Sequence, residues 1–227
     1  MKRRVLALLL VLALVTCGAI GLAACNEGGK DGGGGAGDNI FTEGKTAQEI
    51  QDALIASSGY VLTNDESTAV LYVDDNNCLV SSGGIEILYT YEDGLYYHLT
   101  YDANSESNLR AEKKTFEEAI EDYDVSPEEG IAGVMRLNFE FHSQVIYVLM
   151  TDENGRVVFG EKFAEIVPGY IAGSGQVILS GTTLTMRYES LVNGEKTSTE
   201  LTIGRVNNVK FAPSSEILAL KAEAEWC

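Results

Sequence analysis

Two dipeptides constrain this chain more than any other feature. Asp93-Gly94 and Asn193-Gly194 each sit between runs rich in strand-forming residues. Two-residue loops of this composition favour type I′ turns, whose twist matches that of the flanking strands. Each therefore predicts an antiparallel hairpin of fixed register. Around Asn193-Gly194 that register puts Leu184, Met186, Tyr188, Leu201 and Ile203 on one face. Thr185, Arg187, Glu189, Ser198, Glu200 and Thr202 fall on the other, with Arg187 opposite Glu200, a favourable cross-strand pair. One apolar face and one polar face describe an antiparallel sheet covered on one side. Around Asp93-Gly94, over residues 85–101, Tyr91 faces Tyr96, Tyr89 faces His98 and Ile87 faces Thr100. One face of this hairpin carries Tyr89, Tyr91, Tyr96 and His98; the other carries Leu88, Leu95, Leu99 and Tyr97.

Helical signals lie between the strands. Thr46-Ala47-Gln48-Glu49 and Thr115-Phe116-Glu117-Glu118 both read as capping boxes, in which hydroxyl and carboxylate satisfy each other's backbone N–H groups. They predict helices over 46–56 and from 115 to about 123. Strands are expected over 68–73 and 78–80, joined by the turn Asp74-Asp75-Asn76-Asn77. After a loop at 126–130, residues 134–141 and 144–151 read as strands, and Asp152-Glu153-Asn154-Gly155 turns the chain into a strand at 156–159. Residues 215–226 read as a helical tail. The expected class is α+β: a curved antiparallel β-sheet, half-barrel-like, with helices covering one face.

The N-terminus carries a separate message. Met1-Lys2-Arg3-Arg4 precedes an apolar run at 5–15, the charged and apolar regions of an export signal. Leu22-Ala23-Ala24-Cys25 then resembles the lipobox of bacterial lipoproteins. The resemblance implies that the Cys25 sulfur receives a diacylglyceryl group and that a peptidase cuts between Ala24 and Cys25. The chain would then divide into a signal peptide (1–24), the lipidated Cys25 with a glycine-rich linker (25–38), and one α+β domain (39–227). Its expected place is the extracytoplasmic face of the cell membrane, and two acyl chains anchor where one holds only marginally. The alternatives are a plain N-terminal span, since 5–24 is long enough to cross a bilayer, and ordinary secretion with cleavage near Ala24. The cysteine's position and the flexible tract after it favour the lipoprotein.

Charge excludes some partners. Removing the signal takes three of the 16 Lys+Arg and none of the 34 Asp+Glu, leaving 13 against 34 and a formal charge of −21. Nucleic acid, whose phosphates demand a basic surface, is not an expected partner, and an anionic membrane surface repels such a body. The tract 26–38 holds seven glycines. As a flexible coil it spans roughly 20 Å, more than the Debye length of about 8 Å, so it carries the acidic body beyond most of that repulsion. Cys17 leaves with the signal and Cys25 is acylated. Cys78 and Cys227 remain as possible disulfide partners in a compartment that permits them; otherwise Cys78 is buried and Cys227 is a loose thiol.

The order of elements is similar to that of the LolA-like half-barrel group, which includes lipoproteins of Gram-positive bacteria. The likeness is carried by the opening helix leading into Tyr60-Val61-Leu62-Thr63, by the tyrosine-rich hairpin, and by the strand at 200–206 running into Asn207-Asn208-Val209-Lys210-Phe211-Ala212-Pro213. It implies a sheet whose concave side, partly plugged by helices, forms an apolar cavity for hydrophobic cargo.

Motifs for chemistry are sparse. There is no CxxC or HExxH, and His98 and His142 are the two histidines. Gly173-Ser174-Gly175 lacks the outer glycines of a nucleophile elbow, and the glycine run 32–37 lacks the ending of a phosphate loop. The turns at 74–77 and 152–155 offer clustered oxygens without an EF-hand register. No catalytic residue, metal or cofactor is assigned. Tyr89, Tyr91 and Tyr96 are the candidate ligand-facing residues, since flat rings with a polar tip suit apolar or sugar-like ligands. The expected function is a non-enzymatic binding or carrier module for a hydrophobic or envelope-derived ligand. The alternative is a module whose acidic surface docks another envelope protein.

Overall fold

The computed structural model describes residues 39–64, 67–105 and 109–227. Cys25, Ala24, the signal and the linker lie outside the described residues. The first helix, α1 (Ala47–Ile55), starts at the expected box: Thr46 N donates to Glu49 Oε2 at 2.7 Å and Glu49 N to Thr46 Oγ1 at 3.2 Å. Strands β1 (Gly59–Thr63), β2 (Thr68–Val73), β3 (Asn77–Ser82), β4 (Ile85–Glu92), β5 (Leu95–Asp102) and β6 (Arg110–Thr115) follow as a meander. The entry into β1 requires a glycine, because a Cβ on Gly59 would lie 2.3 Å from the Leu71 carbonyl oxygen. Helix α2 (Phe116–Asp122) begins at the second box, with Thr115 N on Glu118 Oε2 at 2.9 Å.

The next segment corrects the sequence reading. Residues 134–141 are not a strand but the middle of a 13-residue helix, α3 (Gly130–His142), and a 3₁₀ turn (Gln144–Val148) leads into the short strand β7 (Leu149–Thr151). Met135, Leu137, Phe139 and Phe141 alternate with Arg136, Asn138 and Glu140 as a strand would. The residues that become buried, Ile131, Val134, Met135, Asn138, Phe139 and His142, recur instead at intervals of three and four. Two polar members of that stripe disguised it. A start signal was also present: Ser126 and Glu129 form a third reciprocal box just before α3, Ser126 N to Glu129 Oε2 at 3.1 Å and Glu129 N to Ser126 Oγ at 3.3 Å.

Strand β8 (Val157–Phe159) pairs with β7 across the expected turn. Helix α4 (Glu161–Ile166) and strand β9 (Gln176–Leu179), which no sequence signal had marked, precede the long hairpin β10 (Leu184–Val192) and β11 (Glu195–Gly204). Both hairpins hold the predicted registers, with Tyr89 against His98 and Arg187 against Glu200. The C-terminal segment is only partly helical: α5 (Ser215–Ala219) and a 3₁₀ turn (Leu220–Glu223) give way to β12 (Glu225–Trp226), which pairs parallel with β6.

Ten strands form one curved, open sheet in the order β12-β6-β5-β4-β3-β2-β1-β11-β10-β9, antiparallel except for β12 with β6. The class is α+β, as expected. Helices α1 to α4 pack on one face, where Ile50, Leu54, Tyr60, Val134, Met135, Phe139, Leu184 and Ile203 are fully buried. Side chains of α1 and α3, among them Ile50, Leu54, Val134 and Met135, pack against that face. The opposite face of β3–β5 has a smaller cover: Ile217 of α5 seals Leu79, Leu88 and Leu99.

Cys78 and Cys227 are free thiols. Cys78 is buried on the inner face of β3, while exposed Cys227 follows β12, with β6, β5 and β4 between. Four strand steps put them on the order of 20 Å apart, beyond the reach of a disulfide.

Candidate functional site

The structure gathers the predicted tyrosines and both histidines into one seam between the sheet and α3. Tyr89 and Tyr96 point inward and are buried, at 5 % and 2 % exposure. Tyr89 Oη lies 3.0 Å from His142 Nε2, and the His98 ring stacks on Tyr89 at 4.5 Å between centroids. Farther along, Tyr96 Oη meets Tyr123 Oη at 3.0 Å, Tyr123 Oη donates to Asn138 Oδ1 at 3.0 Å, and Asn138 Nδ2 donates to Tyr96 Oη at 3.3 Å. Tyr91, partly buried, packs edge-on against Phe116. Burial holds His142 down to about 4 and His98 down to about 3, so both imidazoles are neutral near pH 7. Burial likewise pushes the Cys78 thiol and the Tyr89 and Tyr96 phenols up. Tyr89 and Tyr96 thus tie α3 to the sheet and do not face solvent.

Outside that seam lies a site the sequence did not reveal. Leu137, Glu140 and Phe141 project from the outer side of α3; Tyr147 and Val148 come from the 3₁₀ turn, and Lys162 and Ile166 from α4. They enclose an open groove of about 430 Å³, within the size range of small-ligand sites, roughly 300–1,000 Å³. Its walls are fixed from several directions. Arg136 Nη1 donates to the carbonyls of Ile55 and Ser57 at 2.8 and 2.7 Å, locking α3 to the end of α1. Buried Gln51 on α1 donates to the carbonyls of Ile146 and Leu149 at 3.1 and 2.9 Å, holding the 3₁₀ turn. Phe163, buried on the inner side of α4, stacks on Phe159 at 3.9 Å.

The groove has an apolar floor and a polar mouth. Leu137 and Tyr147 are 40 % and 38 % exposed, and Met150 beyond the turn is 44 % exposed. Tyr147 Oη donates to Glu140 Oε1 at 2.8 Å. Its phenol is pushed up to about 12 by partial burial, by that hydrogen bond and by the nearby charges of Glu140 and Asp52. Leu137 and Phe141 are i, i+4 neighbours on the side of α3 away from the sheet. Apolar residues there were the available signal, legible only once residues 130–142 are read as a helix.

The other candidates are structural. Asp74 Oδ1 accepts from the backbone of Asn76 and Asn77 at 2.8 and 2.7 Å. Asp152 Oδ1 accepts from Asn154 N and Arg156 N at 2.9 and 2.8 Å, and its Oδ2 from the Arg156 guanidinium. Both carboxylates are engaged in holding their own turns. Ser174 Oγ donates to the Ile171 carbonyl at 2.7 Å and accepts from Glu189 N at 3.0 Å. Among the described residues no group of three or more His, Cys, Asp or Glu is arranged to hold a metal ion, and no helix is long and apolar enough to cross a membrane. Comparison of the chain with protein-family models, with characterised proteins and with solved structures finds no match.

Proposed function

We propose that this chain is an extracytoplasmic lipoprotein, held to a membrane by a diacylglyceryl group on Cys25, and that its α+β body is a non-enzymatic binding module for an apolar, envelope-derived ligand. One observation carries the binding reading: the open groove between α3, the 3₁₀ turn and α4, lined by Leu137, Phe141, Val148 and Ile166. Apolar side chains held in a fixed concave surface gain on the order of 25 cal/mol for each Å² they remove from water when a ligand covers them. The burial of His142 and the stacking of half-buried His98 on Tyr89 favour a binding role over a hydrolytic one. A second reading, docking of a basic envelope protein, is favoured by the run of exposed carboxylates Glu117, Glu121, Asp124 and Glu128.

The groove is tested with a neutral apolar dye such as N-phenyl-1-naphthylamine. Its fluorescence should rise on the native protein, and Leu137→Trp, which fills the groove from an exposed position, should abolish the rise with the circular dichroism unchanged. Equal dye binding by this variant would remove the groove from consideration. The anchor is tested separately. Cys25→Ala should release the protein from membranes or leave it unprocessed, and a processed, membrane-bound variant would contradict the lipoprotein assignment.

A further inference from the structure

The charges at the mouth of the groove narrow the ligand class. Glu140 lines the groove, and its Oε1 accepts from Tyr147 Oη. Asp52, exposed on the neighbouring face of α1, acts on the same phenol. Glu161 and Glu165, both exposed, flank Lys162 on α4. Lys162 is the single basic residue of the lining. Set against it are Glu140 in the lining and Asp52, close enough to act on the Tyr147 phenol, on a chain whose formal charge is −18 overall. A ligand headgroup resting at this mouth therefore meets a field of negative sign, strengthened because the apolar floor excludes water from one side.

We infer that the groove selects amphiphiles that combine an apolar chain with a cationic head, seating the chain against Leu137, Phe141, Val148 and Ile166 and the head beside Glu140. This rests on the groove being the binding site. Glu140 is placed to receive such a head, since its carboxylate is fixed by the Tyr147 hydroxyl and its other oxygen stays available. An anionic amphiphile finds one exposed lysine flanked by glutamates, and a neutral one gains from the floor alone. Charge thus sets the order of preference among ligands sharing one chain length.

The test uses the full chain carrying Cys25→Ala, so that no detergent or lipid competes. Octyltrimethylammonium, octanol and octanoate, each below its micelle threshold, compete with the neutral dye. Octyltrimethylammonium should displace the dye at about one tenth of the octanol concentration, and octanoate should be the weakest. Raising salt from tens to hundreds of millimolar should narrow the spread, because a charge pair open to solvent is screened over about a Debye length. Glu140→Gln should remove most of the cationic advantage over octanol, and Lys162→Gln should enlarge that advantage. Equal competition by all three probes, or octanoate as the strongest, would overturn the cationic preference while leaving the groove as the site. Dye binding unaffected by Leu137→Trp would overturn the groove itself, and this inference with it.

Discussion

Hairpins β4–β5 and β10–β11 turn on nearly the same backbone, Asp93-Gly94 at φ 53° and 82° and Asn193-Gly194 at 53° and 84°. Their surroundings differ. In β10–β11 away from the turn, Leu184, Met186, Tyr188, Leu201 and Ile203 are buried while Thr185, Arg187, Glu200 and Thr202 are not, so apolar and polar residues alternate. In β4–β5, α3 covers Tyr89 and Tyr96 on one side and α5 covers Leu88 and Leu99 on the other. Leu88, Tyr89 and Thr90 are then buried in succession and the alternation fades. The turn dictates which strands pair; the alternation records how many layers lie on them.

Substitutions at matched places separate these two contributions. Leu99→Ala, on the face of β5 that is least evidently core, should destabilise the protein by about 2–5 kcal/mol, the range for buried leucines. Urea unfolding measures it, and a loss under about 1 kcal/mol would show that α5 is a loose cover. Acid should act next, and only on the β4–β5 side. The folded His142 titrates at about 4 and an unfolded histidine near 6.5, so the neutral ring belongs to the folded state. Stability from this group is complete above pH 6.5 and is lost as pH falls toward 4, by about 2 kcal/mol at pH 5. His98 is shifted in the same direction and acts over the same window. His142→Gln, which keeps a polar partner for Tyr89, should roughly halve the pH dependence between 6.5 and 5 and leave the share of His98; an unchanged slope would move the acid sensitivity elsewhere. The smallest effect belongs to the exposed pair on the other hairpin. Glu200→Ala frees Arg187 and should cost less than about 1 kcal/mol, falling further in salt.

The comparison also marks how far the sequence could be read. Turn dipeptides and capping boxes are local devices, and residues 46–49, 93–94, 115–118 and 193–194 act as their chemistry demands. Helix α3 escaped because Asn138 and His142 occupy buried positions of its stripe. They are tolerated there because Asn138 bonds Tyr96 and the Val134 carbonyl and His142 bonds Tyr89, partners more than 40 residues away apart from Val134. No window of sequence contains those partners. The groove was hidden for a related reason: it is assembled from α3, the 3₁₀ turn and α4, and its walls are set by Gln51 and Arg136 reaching across the fold. The tyrosine pattern fixed which side chains share a face of β4–β5, but not that α3 would cover Tyr89 and Tyr96.

The margins of the large sheet are unequal, and this bears on assembly. At one end β6 presents Arg110, Glu112, Lys113 and Lys114, and beyond it β12 adds two residues; charged side chains and so short a strand discourage further pairing. At the other end β9 offers four residues, with Ile178 39 % exposed. A sheet blocked at one margin can join another copy edge to edge only once, after which both open margins are used. Association by edge-to-edge strand addition then yields at most a pair, and fibril growth by that route stops at the first step.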